Sequence, residues 1–197
     1  MESNETSFSE SEALKLIEQT ITNTKQRLTD DGFSLIMWGW IVITGCIVNY
    51  FALEHQIPIL FAYWPVACTT GGIISGVVGS KKRNSHQAKS LSTEVFKFVW
   101  MGCGIAAIIL WFAAFNFGWQ YINPAMFIAF GIPVFISGGI MRFTPAIFGG
   151  LILFAFGVGT FFIAEESYTN LIAAGGWALG YLIPGYLLKK DHQKNDV

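Results

Sequence analysis

Apolar residues gather along the chain into six long runs, which are separated by short polar segments. A continuous run of about 20 apolar residues is the length at which a helix crosses a hydrocarbon core of about 30 Å. Inside such a core, only a helix satisfies every backbone hydrogen bond within a single segment. The runs cover residues 33–53, 57–79, 98–118, 124–141, 145–163 and 171–188. The pattern predicts an all-α membrane protein, with six transmembrane helices in a domain that spans residues 32–188.

The N-terminal segment has the pattern of an amphipathic helix. Ser9 and Glu12 have the spacing of a capping box, which marks a helix start. Four apolar residues then recur at intervals of three, four and seven, so that one face of the helix is apolar. These residues are Leu14, Ile17, Ile21 and Leu28. We expect residues 1–31 to form a cytoplasmic segment whose apolar face docks a protein partner or a second copy of the chain. The alternative is a helix that lies on the bilayer surface.

The distribution of basic residues predicts the side of the membrane that each loop occupies, because cytoplasmic loops retain Lys and Arg. All 12 basic residues fall in the N-terminal segment, the region between the second and third runs, the turn after the fourth run or the C-terminal tail. The other three loops carry Glu54, Glu165 and Glu166 and no basic residue. This distribution predicts a multi-pass protein with both ends in the cytoplasm and a cytoplasmic tail at residues 189–197.

Short outer loops pair the six runs into three hairpins, and the second helix of each hairpin contains a proline and several glycines. The prolines are Pro65, Pro133 and Pro184. Glycines that lie one helical turn apart let two helices approach closely in lipid. Such pairs are Gly72 with Gly76 and Gly176 with Gly180. Two interpretations are open for them: a face that binds another copy of the chain, or tight packing within one molecule.

Three glycine-rich hairpins with short outer loops resemble small six-span bacterial membrane proteins of uncharacterised function, including the acid-resistance-associated type. The resemblance covers the whole membrane region and rests on the repeated two-helix pattern. It implies a location in the bacterial inner membrane. The acidic N-terminal extension departs from that pattern.

Ionisable residues buried in a membrane mark proton relays and ion paths, because they are costly to place there. In this chain 53% of the residues are hydrophobic and 13% are charged. Every Asp, Glu, Lys, Arg and His lies outside the runs or within about one turn of a run's end, which disfavours ion-coupled transport. The sequence also contains no HExxH motif and no CxxC pair. We therefore predict no catalytic, cofactor-binding or metal-binding residue, no enzymatic activity and no nucleic-acid partner.

One tripeptide, Asn123-Pro124-Ala125, matches the signature of aquaporins, in which two such motifs meet at the centre of the pore. A single copy occurs here, at the outer end of the fourth run. An asparagine N-cap followed by proline at the first helical position explains the same residues as an ordinary helix start. We therefore expect Asn123 to cap the fourth helix.

Polar and aromatic side chains towards the outer side of the membrane, together with one interior proline, are candidates for a shallow outward cavity. The candidates are Asn49, Trp64, Trp111, Asn116 and Pro133. Polar groups of this kind also tie helices together, at about 0.6 kcal/mol each. The sequence favours a non-enzymatic scaffold, sensor or regulatory subunit that acts in the lipid bilayer through partners, with homo-oligomers among the options. The alternative function is a facilitator or channel for a small neutral solute.

Overall fold

A computed structural model describes residues 32–83, 91–163 and 165–195, which are helical apart from short turns. Five long helices are α1 (Gly32–Glu54), α2 (Tyr63–Arg83), α3 (Leu91–Phe117), α4 (Ile122–Ile140) and α5 (Thr144–Thr160). The last helix is continuous and consists of α6 (Glu166–Trp177), a π-helical segment (Ala178–Leu182) and α7 (Ile183–Asn195). Two 3-10 helices, Pro58–Ala62 and Trp119–Tyr121, lead directly into α2 and α4.

The helices follow the six apolar runs of the sequence. Five helical segments are long and apolar enough to cross a membrane. The sixth, α5, has 17 residues, which corresponds to about 26 Å at the rise of an α-helix. This length is at the lower end of the range for spanning helices. The prediction of a helical membrane protein is therefore confirmed, and the structure has five to six long apolar helices where the sequence predicts six.

A tight turn holds α4 and α5 side by side. The backbone N–H of Phe143 donates to the carbonyl oxygen of Gly138 at 2.9 Å. Arg142 adopts a left-handed conformation with φ of 49°, which reverses the chain within a few residues. Pro145 lies in the first turn of α5, where a backbone N–H has no partner within the helix in any case.

Glycine allows α4 and α5 to approach closely. A Cβ atom added at Gly138 would lie 2.6 Å from the backbone nitrogen of Ile147, and one at Gly150 would lie 2.8 Å from the Cα of Phe135. Any side chain at either position would force the close-packed helices apart. The α4–α5 pair is the most extensively packed in the described chain, although the three-hairpin arrangement assigns these helices to different hairpins. That arrangement stays a prediction.

The buried core lies between α1, α4, α5 and the last helix. At its centre, the ring of Trp177 stacks on Phe127 with centroids 5.2 Å apart, and Leu153 of α5 is fully buried beside them. By contrast, α2 packs mainly on α1, and α3 packs mainly on α4. Only 6% of the membrane-length segment of α2 and 11% of that of α3 is buried, against 50% in the last helix. The fold is thus a close-packed core with two peripheral helices.

Candidate functional site

Three of the five residues predicted to line an outward cavity lie together. The indole N–H of Trp64 donates to Oδ1 of Asn49 at 3.0 Å. The ring of Trp64 meets the ring of Trp111 edge-on, with centroids 6.4 Å apart, and Trp119 continues the row 5.2 Å from Trp111. We call Asn49, Trp64, Trp111 and Trp119 the outer aromatic cluster. It links α1, α2 and α3 near the C-terminal ends of α1 and α3 and the N-terminal end of α2, and Asn49 fixes the orientation of one indole.

The other two predicted residues lie elsewhere. Asn116 is exposed on α3, and Pro133 is buried in α4. Neither takes part in the hydrogen bond and ring contacts of the outer aromatic cluster. The outward cavity stays a prediction, and the observed contacts of Asn49 are those of a residue that ties helices together.

The apolar face predicted for the N-terminal segment lies outside the described residues. It consists of Leu14, Ile17, Ile21 and Leu28. The described chain begins at Gly32, where an added Cβ atom would lie 3.5 Å from the backbone nitrogen of Lys189 in α7. The start of α1 therefore lies beside the first half of α7.

A buried polar cluster lies at the other end of the bundle. The indole N–H of Trp100 in α3 donates to the hydroxyl oxygen of Ser137 in α4 at 3.2 Å, and Ser137 is only 4% exposed. Both residues line a cavity of about 10 Å³, together with Tyr181 and apolar side chains. This is room for about one water molecule. The cavity is therefore small, and apolar side chains form most of its wall.

The last helix changes its hydrogen-bonding pattern beside this cavity. Pro184 has no backbone N–H, and in the π-helical segment before it the N–H of Ile183 donates to the carbonyl oxygen of Ala178, five residues back. The π-helical segment therefore ends one residue before the proline, within one continuous helix. A Cβ atom at Gly149 would collide with the carbonyl oxygen of Gly180 and lie 2.7 Å from the Pro184 ring. Helix α5 is thus in direct backbone contact with this segment.

The start of α4 shows that the predicted role of the Asn-Pro-Ala tripeptide is wrong. Helix α4 begins at Ile122, and its N-cap is Tyr121, which makes no side-chain capping bond. Nδ2 of Asn123 instead donates to Oδ1 of Asn170 in α6 at 3.2 Å. Pro124 falls in the first turn, where backbone N–H groups have no partner within the helix. Asn123 therefore joins two helices, and its partner lies too far along the chain for the local sequence to reveal it.

A Trp-to-Ser hydrogen bond occurs twice in the bundle. The indole N–H of Trp38 donates to the hydroxyl oxygen of Ser75 at 3.0 Å and joins α1 to α2, as Trp100 and Ser137 join α3 to α4. The two partners are 37 residues apart in both pairs. Sequence reasoning missed these pairs, although the equal spacing of Trp and Ser is a signal that can reveal them.

Within the described ranges, no group of three or more His, Cys, Asp or Glu side chains is placed to hold a metal ion. Comparison of the chain with protein-family models, curated proteins and solved structures finds no match. The resemblance to small six-span bacterial membrane proteins therefore stays a prediction. The chain is a helical membrane protein with an outer aromatic cluster and a buried polar cluster at opposite ends of its bundle.

Proposed function

We propose that the chain is a multi-pass protein of the bacterial inner membrane that has no enzymatic activity and acts through partners, as a scaffold, sensor or regulatory subunit. The close packing of α4, α5 and the last helix at glycines is the observation that carries this proposal. Backbone meets backbone where Gly138 approaches Ile147 and where Gly149 approaches Gly180. A bundle packed in this way resists the helix movements that would open an internal pathway for a solute. The protein then acts through its surface and its terminal segments.

The proposal places both chain ends in the cytoplasm, and the arrangement of one apolar cluster supports this orientation. Side chains from α1, α3, the α4–α5 turn and α7 pack together at one end of the bundle. They include Leu35, Phe96, Met141 and Leu188. Exposed basic residues directly follow three of these positions in the chain. They are Lys97, Arg142, Lys189 and Lys190. Basic residues gathered at one end of a bundle are typical of the cytoplasmic side.

The N-terminal segment is the element that we propose binds a cytoplasmic protein. Deleting residues 1–29 is expected to remove specific crosslinked partners of the full-length protein in cells. Replacing Leu14 and Ile21 by serine is expected to have the same effect, because both lie on the apolar face of the predicted helix. The matched control is Gln19→Ala with Gln26→Ala on the opposite face, which leaves the crosslinks in place. An unchanged set of partners after the deletion contradicts the proposal.

The solute facilitator remains the competing function, and liposome flux separates the two. We expect purified protein in liposomes to leave the permeability to glycerol, urea and neutral amino acids at the level of protein-free liposomes. The proposal is overturned if the protein speeds the permeation of any one of these solutes and if an Asn116→Ala or Pro133→Ala variant that still folds loses this effect. Far-UV circular dichroism of each variant checks its helix content.

A further inference from the structure

A similar tripeptide occurs in the second half of α2, of α4 and of the last helix. Residues 74–76 and 136–138 are both Ile-Ser-Gly, whereas residues 183–185 are Ile-Pro-Gly. In all three cases a basic residue follows the glycine after four or five residues. The three places are therefore comparable along their helices, and they differ in the middle residue.

The middle residue decides how each helix is joined to its neighbour. The hydroxyl oxygens of Ser75 and Ser137 each accept a hydrogen bond from the indole N–H of a tryptophan in the preceding long helix. Proline has neither a hydroxyl group nor a backbone N–H. Pro184 therefore cannot form this bond, and it cannot donate to the carbonyl group of Gly180, four residues back. Where the other two helices have a hydrogen bond to a neighbour, the last helix has an interruption of its own hydrogen bonds.

Before this interruption, the last helix is fixed to the core. The carbonyl group of Gly180 faces the Cα atom of Gly149 in α5, and a Cβ atom at Gly180 would lie 2.8 Å from the Gly149 carbonyl oxygen. Three residues earlier, the ring of Trp177 stacks on Phe127 with centroids 5.2 Å apart. Contacts between backbones at this distance leave no free space between the two helices. The last helix is thus held in place as far as Gly180.

After the interruption, α7 is joined to the first half of α1. The indole N–H of Trp40 donates to the hydroxyl oxygen of Tyr186 at 3.1 Å. A Cβ atom at Gly185 would lie 3.2 Å from Cγ1 of Ile36, so the two helices approach closely there. The N-terminal segment leads directly into α1. A change in the position of α7 would therefore also reach the N-terminal segment.

The small cavity of the buried polar cluster borders both α1 and α7. Its lining includes Leu35 of α1, Pro184 and Leu188 of the last helix, and Trp100 and Ser137 of α3 and α4. Atoms that line a void lack contact partners on that side. A small tilt of α7 into the cavity would therefore form new contacts in exchange for those that it breaks. Bending at a π-helical segment and a proline also disrupts fewer hydrogen bonds than bending a regular helix.

We propose that the π-helical segment and Pro184 form a hinge, at which α7 tilts towards the cavity together with the first half of α1. The contact between Gly149 and Gly180 confines the movement to the part of the last helix that follows it. Helix α7 has 13 residues, which corresponds to about 20 Å, so a tilt of about 10° moves its end by about 3 Å. The use of the hinge rests on the proposed function, because a partner bound to the N-terminal segment would favour one of the two orientations.

Distances between spin labels in the purified full-length protein in nanodiscs test the hinge without a partner. One pair of labels, at Arg142→Cys and Lys190→Cys, joins the α4–α5 turn to α7 in a chain whose native cysteines are replaced. The control pair, at Gln120→Cys and Tyr168→Cys, joins α6 to the residues just before α4. All four residues are exposed. We expect the distance distribution of the first pair to be wider than that of the control pair by at least about 3 Å, the displacement that the tilt produces. Equal widths overturn the proposal.

Two prolines provide matched variants for the same measurement. Pro184→Ala restores a backbone N–H at the hinge and is expected to narrow the distribution of the first pair to the width of the control pair. Pro133→Ala is the matched control, because Pro133 is also inside a helix, α4, that stays α-helical over its whole length. It is expected to leave the distribution unchanged. Equal narrowing by both variants, or no narrowing by Pro184→Ala, overturns the proposal.

A third variant tests the tilt without changing the proline. Ala146 of α5 also lines the cavity and is only 4% exposed. Ala146→Val adds two methyl groups next to the space into which α7 moves, and it is therefore expected to narrow the distribution of the first pair. An unchanged width in this variant overturns the proposal. Loss of crosslinked partners in cells tests the proposed function separately, because the label distances require no partner.

Discussion

Two adjacent glycines at the end of α4 offer a direct test of the packing between α4 and α5. A Cβ atom at Gly138 would lie 2.6 Å from the nitrogen of Ile147 and 2.9 Å from the carbonyl carbon of Ala146. At Gly139, the next residue, an added Cβ atom meets no atom of the described chain within 4 Å. Gly138→Ala and Gly139→Ala therefore make the same chemical change in the same turn of helix, and they differ in what the new methyl group meets.

The expected difference in stability between the two variants follows from the kind of atom that the added methyl group meets. Both variants share the gain in helix propensity, about 1 kcal/mol for alanine over glycine, so this term cancels between them. Overpacking costs about 1–3 kcal/mol, and backbone atoms cannot rotate aside as a flexible side chain does. We therefore expect Gly138→Ala to be about 3 kcal/mol less stable than Gly139→Ala. On the scale of soluble domains of this size, the melting temperature falls by about 6–12 °C.

Thermal unfolding of both variants in lipid nanodiscs, followed by far-UV circular dichroism, measures this difference. The wild-type protein and Gly139→Ala are expected to melt within a few degrees of each other. If Gly138→Ala melted together with Gly139→Ala, backbone contact between α4 and α5 would not limit the packing, and the argument for a rigid interior would fail.

Three further predictions concern polar contacts and orientation. Ser137→Ala, which removes the buried acceptor of an indole N–H, is expected to cost about 0.6–1.7 kcal/mol, and more than Ser75→Ala at the half-buried equivalent position; equal losses in thermal unfolding contradict this order. Asn170→Ala removes the side-chain hydrogen bond between α4 and α6 and is expected to lower the free energy of unfolding by at least about 0.6 kcal/mol; an unchanged melting temperature refutes this prediction. In a chain without native cysteines, a membrane-impermeant maleimide is expected to label Gln120→Cys from outside intact cells and Arg142→Cys only after the cells are opened; the reverse result overturns the proposed orientation.

The two helix pairs that a Trp-to-Ser hydrogen bond joins differ in what packs on their second helix. Helices α2 and α4 both carry small residues along one stripe, yet only α4 is followed by a helix that packs on that stripe. The turn at Arg142 folds α5 back onto α4 directly. Helices α2 and α3 meet in the outer aromatic cluster, where the ring of Trp64 contacts that of Trp111.

The sequence by itself determined the helical membrane architecture. Helix formation in lipid depends on hydrogen bonds between residues four apart, so a continuous apolar run is sufficient to predict a helix. The six runs and the helices accordingly coincide, apart from the ends of elements such as α3, which begins at Leu91 instead of residue 98. The distribution of basic residues likewise predicts an orientation without reference to packing.

Only the tertiary structure decided which glycines and polar groups meet a partner. Gly72 and Gly76 have the same spacing as Gly176 and Gly180, yet the first pair is open and the second is covered. Asn123 has the local pattern of a helix cap, but its amide bonds to a residue of a distant helix. Such contacts depend on which helices become neighbours, and that choice reflects the packing of all the helices together. No local stretch of sequence contains that information, because equal local patterns lie in different surroundings.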